Sequence, residues 1–166
     1  MAQHQALLEE FSAYAQSAPD AKALMAHISQ RLHDRLARYN WVGFYLVDEA
    51  EPGVLLVGPY VGSFSPNERI PFDAGLCGAA ARTRQTVVVN DVVRDTRYLS
   101  GSEIVKANVV VPILVKNEVA AELDIESYFA GTFTREEQAF AEAVAALVAK
   151  FLEKQGRPGK AAGAPQ

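Results

Sequence analysis

The residues that could do chemistry in this chain fall in two stretches. In Val119-Ala-Ala-Glu-Leu-Asp-Ile-Glu126 acidic residues recur at alternate positions, so Glu122, Asp124 and Glu126 share one face of a strand and Ala121, Leu123 and Ile125 the other. The first expectation for such a face is that it is solvated. If it is covered, the carboxylates need a cation or a donor and become natural ligands for an ammonium group. The second stretch runs from Arg69 to Arg84 and holds the single cysteine, Cys77, between Gly75 and Gly78. Glycine lets backbone approach backbone or ligand closely. A helix starting here would aim free N–H groups at whatever the preceding loop encloses. The plainer alternative is a loop, a connecting helix and a strand packed for stability alone.

Composition sets the bounds. With 166 residues, 49% hydrophobic and 22% charged, the chain is expected to form one domain with terminal extensions. These divide as an N-terminal helix over 1–20, the domain over 21–154 and a flexible tail over 155–166. A net charge of −4 argues against a nucleic-acid partner. One cysteine allows no intramolecular disulfide and suits a reducing compartment. The first residues show no leader pattern, and no apolar run approaches the roughly 18 residues of a membrane span, so a cytoplasmic location without membrane contact is expected. Three histidines without cysteine or acidic groups at ligand spacing are read as solvated helix residues; no metal and no cofactor is expected.

The positioning elements follow from periodicity. Leu7, Leu8, Phe11 and Tyr14 mark a first amphipathic helix over 5–16. Asp20 caps a second, with Leu24, Ile28, Leu32 and Leu36 on its apolar stripe. In Asn40-Trp-Val-Gly-Phe-Tyr-Leu-Val-Asp48, Val42, Phe44 and Leu46 share one face and Trp41, Gly43 and Tyr45 the other, which predicts a strand covered on both sides. Gly43 is expected to leave room above the sheet for a small ligand. Val54–Tyr60 returns as a hairpin strand, 61–68 is a loop, and 75–84 a short helix. Thr86–Val89 is a strand, and the long segment from Asn90 to about Lys106 carries Arg94, Asp95, Arg97 and Tyr98, as a binding segment would. Asn108–Val115 and Val119–Glu126 form a second hairpin. Thr134-Arg-Glu-Glu137 is a capping box opening a last helix lined by Phe140, Val144, Leu147 and Phe151. The order predicts an α+β fold: an antiparallel sheet with terminal helices on one face and a ligand pocket, lined by loops and a helix, on the other.

Four motifs in order, Asn-Trp-Val-Gly-Phe-Tyr-Leu, Arg-Ile-Pro-Phe-x-x-Gly-x-Cys-Gly-x-Ala-Ala, Val-Pro-Ile and Leu-Asp-Ile-Glu-Ser, resemble a stand-alone GAF domain. The pattern is most similar to the free methionine-(R)-sulfoxide reductases and extends from about Leu24 to Leu152. The resemblance implies a ligand site at Trp41, Tyr45, Cys77, Asp124 and Glu126. Asn108 stands where that family has a pocket glutamate just before its Val-Pro strand; a gapped alternative would bring Glu103 into that role. The family's nucleophilic and resolving cysteines fall on Gly101 and Asn67, neither of which can do thiol chemistry. Cys77 matches the third family cysteine, which is not the principal nucleophile.

Three readings stand side by side. The leading one is a non-catalytic sensor or regulatory module binding a small polar, amino-acid-like metabolite between Trp41/Tyr45 and Asp124/Glu126, with no catalytic residue. An enzyme alternative is a divergent reductase using Cys77 with an external thiol, which requires an accessible Cys77 of low pKa. The last is a dimerisation or scaffold module with a self-filled pocket. A homodimer through the terminal helices is expected under either functional reading.

Overall fold

Alternating apolar positions dictate the sheet, and the sheet dictates everything else. In a computed structural model that describes residues 2–98 and 102–155, the chain forms α1 (Ala2–Ala15), α2 (Ala21–Arg35), β1 (Trp41–Val47), β2 (Val54–Gly62) and β3 (Arg69–Pro71). It continues through α3 (Gly75–Thr83), β4 (Val87–Val89), β5 (Ala107–Val115), β6 (Glu118–Ser127) and α4 (Arg135–Gln155). The six strands lie in the order β3-β2-β1-β6-β5-β4, every pair antiparallel. The β1–β2 and β5–β6 hairpins are thus joined side by side through β1 and β6, which become the central strands. Lys116 and Asn117 turn the β5–β6 hairpin with φ of 53° and 65°, the twist a tight two-residue connection requires.

Each face of the sheet carries its own apolar cluster. On one, Val42, Phe44, Val109, Val111, Leu123 and Ile125 pack beneath α1, α2 and α4. On the other, Trp41, Tyr45 and Val110 meet Ile70, Leu76, Cys77 and Ala80 from β3 and α3. The α+β arrangement read from the periodicity is therefore the one observed. Asp20 caps α2 by accepting from the Ala23 N–H at 2.8 Å. Thr134 likewise accepts from the Glu137 N–H at 3.3 Å at the start of α4. In α4 Val144 and Val148 are fully buried, while Leu147 is only partly covered.

Several local expectations need correction. β2 extends two residues further than read, to Gly62, and Arg69–Pro71 adds a third strand beside it. The histidines are not simply solvated: His27 stacks on Tyr14 at 4.1 Å and reaches Glu10 at 3.0 Å, and His4 stacks on Phe140 at 4.1 Å and reaches Glu137 at 3.1 Å. Both tie α1 to its neighbours. The proposed tail over 155–166 lies, except for Gln155, outside the described residues. None of the described helices is long and apolar enough to cross a membrane.

The space above Gly43 is not open. A Cβ there would lie 2.6 Å from the Trp41 ring and 2.6 Å from the Tyr60 Cβ, so the missing side chain makes room for the tryptophan. Gly43→Ala is therefore expected to lower stability by about 1–3 kcal/mol through overpacking, read as a drop in thermal midpoint. An unchanged midpoint would mean that the ring moves aside freely.

Candidate functional site

The alternation of β6 places Glu122, Asp124 and Glu126 on the face that α3 covers, and they are 0%, 3% and 7% exposed. This overturns the expectation of a solvated face. The residues that do it are distant in sequence: α3, Phe64 and Tyr98 lie over the strand. Antiparallel register then fixes what surrounds the acids. Trp41, Gly43 and Tyr45 of β1 stand opposite Glu126, Asp124 and Glu122, while Asn108, Val110 and Pro112 of β5 stand opposite the same three from the other side.

A cavity opens against these groups, lined by Tyr45, Cys77, Asn108, Asp124 and Glu126 together with Asn67 and Tyr98. Sequence reasoning named the first five as site residues, and the fold brings them together from four elements. Asn67 lies on the rim, and the position of Gly101 falls outside the described residues. Glu103 is exposed and does not line the cavity. Trp41 is also apart from it. The indole is fully buried, stacked between Tyr60 at 5.3 Å and Phe64 at 5.7 Å, with its Nε1–H donating to the Phe64 carbonyl at 3.2 Å. It supports the wall that Tyr45 and Phe64 present. The cavity is small in this form, ≈ 20 Å³, about the space of one water molecule.

The polar groups hold one another. Asn108 Nδ2 donates to Asp124 Oδ1 at 2.5 Å and to the Ile125 carbonyl at 2.9 Å. The Tyr98 hydroxyl donates to Glu126 Oε1 at 2.9 Å. No ion pair of the described residues includes any of the three acids. Burial accordingly pushes Glu122 and Asp124 well above the usual carboxylate range, with the Glu126 charge raising Asp124 further. Burial raises Glu126 too, against the hydrogen bonds from Asp124 and Tyr98 that favour its charged form. Of the two neighbours, Asp124 is thus the one pushed further toward its neutral form. Cys77 is 6% exposed, and its thiol is pushed well up, first by burial and then by the charges of Asp124, Glu122 and Glu126. The Tyr45 hydroxyl moves the same way for the same first reason. An accessible Cys77 of low pKa, which the enzyme alternative required, is not what the fold provides.

Two residues that matter here were not named as site residues from sequence. Tyr98 was legible only as an aromatic anchor in a long loop. Glu122 was visible in the alternation but carried no signal separating it from a solvated acid.

The direction of these shifts has a consequence for stability. A carboxyl whose folded pKa exceeds its unfolded value, 4.5 for Glu and 3.8 for Asp, contributes fully below that value and loses its contribution as pH rises through the folded pKa. The thermal midpoint of the ligand-free protein is expected to fall as pH rises above about 5, through the range in which these carboxyls lose their protons. Glu122→Gln, neutral throughout, is expected to fall less steeply over the same range. A profile identical to wild type would show that Glu122 does not hold a proton in the fold.

Comparison with known proteins agrees with this architecture. The GAF domain family model matches residues 20–152. The free methionine-R-sulfoxide reductase of Escherichia coli is 33% identical over 146 residues, spanning 88% of this chain and 86% of that protein. Protein YtsP of Bacillus subtilis is 30% identical over 149 residues, 90% of each chain. Among solved structures, the free methionine-R-sulfoxide reductase of Neisseria meningitidis in complex with its substrate superposes with a TM-score of 0.86 at 28% identity, covering 92% of this chain and 89% of that one. With the sheet order, the two-sided packing and the pocket over β6 in place, the chain belongs to the GAF domain family and is similar over nearly its whole folded length to free methionine-R-sulfoxide reductases.

Proposed function

We propose that this chain is a GAF module that binds a small, ammonium-bearing, amino-acid-like metabolite and acts as a sensor or regulatory module. One observation carries the reading: Asp124 and Glu126 are buried in a cavity wall, Asn108 and Tyr98 donate to them, and among the described residues no basic side chain is paired to either. Burying acidic groups without a cation is unfavourable, and an incoming ammonium relieves it. Tyr45 supplies an aromatic surface beside them, suited to a cation or an apolar side chain. Gly75, Leu76 and Cys77, at the first turn of α3, line the same cavity; the free N–H groups of a helix start suit a ligand carboxylate. The present cavity must widen to admit such a ligand. We further propose that the module works as a homodimer through its terminal helices.

The relatives support a second reading, a divergent free methionine-R-sulfoxide reductase. Cys77 is the single thiol available, so an external thiol would have to regenerate it. Its burial and raised pKa weigh against an efficient nucleophile.

Thermal-shift screening with amino acids and the methionine sulfoxide epimers, paired with reductase turnover by wild type and Cys77→Ser, separates the readings. The expected outcome is stabilisation without turnover, about 2.7 kcal/mol at a ligand concentration a hundred times Kd. Turnover that disappears in Cys77→Ser would establish the reductase instead. No shift and no turnover would leave a scaffold with a self-filled pocket.

A further inference from the structure

Glu122 is the most deeply buried of the three acids, and among the described residues neither of its carboxylate oxygens has a hydrogen-bond partner of normal geometry. Its neighbours explain why. Opposite it on β5 stands Pro112, which has no N–H, and opposite it on β1 stands Tyr45. From α3 the Cys77 thiol faces it, a weak donor. On its own strand the next residue of the same face is Asp124, another acid. Asn108 is committed to Asp124 and Tyr98 donates to Glu126. A buried carboxyl left without partners costs stability, and a residue chosen for packing alone would be apolar at this position.

Position supplies the rest. Tyr45 and Cys77, which flank Glu122, both line the cavity, so its carboxyl lies directly behind the wall against which the ligand is read to bind. Alternate strand positions are about 6.6 Å apart, so Glu122 sits one step deeper than Asp124 along the same face. A short aliphatic chain bridges that separation.

We propose that Glu122 is a specificity-determining residue that receives a second N–H-bearing group of the ligand, so that the pocket selects a diamino compound of the basic amino-acid class over a neutral-chain amino acid. This rests on the reading of the site as one for an ammonium-bearing metabolite. The first ammonium lies against Asp124 and Glu126. The ligand's terminal ammonium passes between Tyr45 and Cys77 and pairs with the Glu122 carboxylate, which gives up its proton to solvent as the cation arrives. The paired charges supply the partner that the empty protein lacks.

Ornithine and norvaline differ only in the terminal ammonium and serve as the probes, measured by calorimetric titration of wild type, Glu122→Gln and Glu122→Met. Wild type is expected to bind ornithine at least about tenfold more tightly than norvaline, the worth of one charge-assisted hydrogen bond. Both variants are expected to lose that ratio while keeping norvaline affinity within about threefold. Glu122→Met is also expected to raise the thermal midpoint of the empty protein, which a purely structural acid would not do on removal. Equal binding of the two probes to wild type, or a ratio that survives in both variants, would overturn the role of Glu122 and leave the ammonium site intact. Binding of neither probe, nor of methionine sulfoxide, would overturn the underlying reading and this inference with it.

Discussion

A strand bearing three carboxylates at the centre of a sheet covered on both faces is the constraint around which this protein is built. Solvent would hydrate such a face; here α3, Phe64 and Tyr98 replace it. Charge in that space is expensive, so burial raises the pKa of each acid, and Asp124 and Glu126 accept from the donors within reach. The polar groups nearby fit that need: Asn108 against Asp124, Tyr98 against Glu126, and the cysteine held as a neutral thiol.

The same constraint separates binding from thiol chemistry. Three acids around one sulfur suppress the thiolate, because each adds to the penalty that burial already imposes. An environment that welcomes a cation is therefore a poor one for an activated cysteine. The similarity to methionine sulfoxide reductases extends over nearly the whole fold. Within the chain itself Cys77 is the single cysteine, so no second thiol of the same chain can take part in an exchange.

Behind the polar face lies an aromatic wall whose logic is steric. Trp41 lies flat over Gly43 and between Tyr60 and Phe64, and the glycine is the condition for that packing. The indole fixes Phe64 through its N–H and backs Tyr45, so the cavity has one rigid side.

Periodicity alone determined the sheet, its two-sided burial, the helices on one face and the alternation that sets Glu122, Asp124 and Glu126 against Leu123 and Ile125. Those features are local, because side chains of a strand point alternately and helices repeat at three and four residues. The motifs likewise brought Tyr45, Cys77, Asn108, Asp124 and Glu126 to one expected site. What sequence could not decide was whether the acidic face was wet, whether Gly43 left a void, or whether Trp41 touched the cavity. Each depends on which distant segment lies across the sheet. Burial of a carboxylate is a property of its neighbours in space, and only the tertiary structure assigns those.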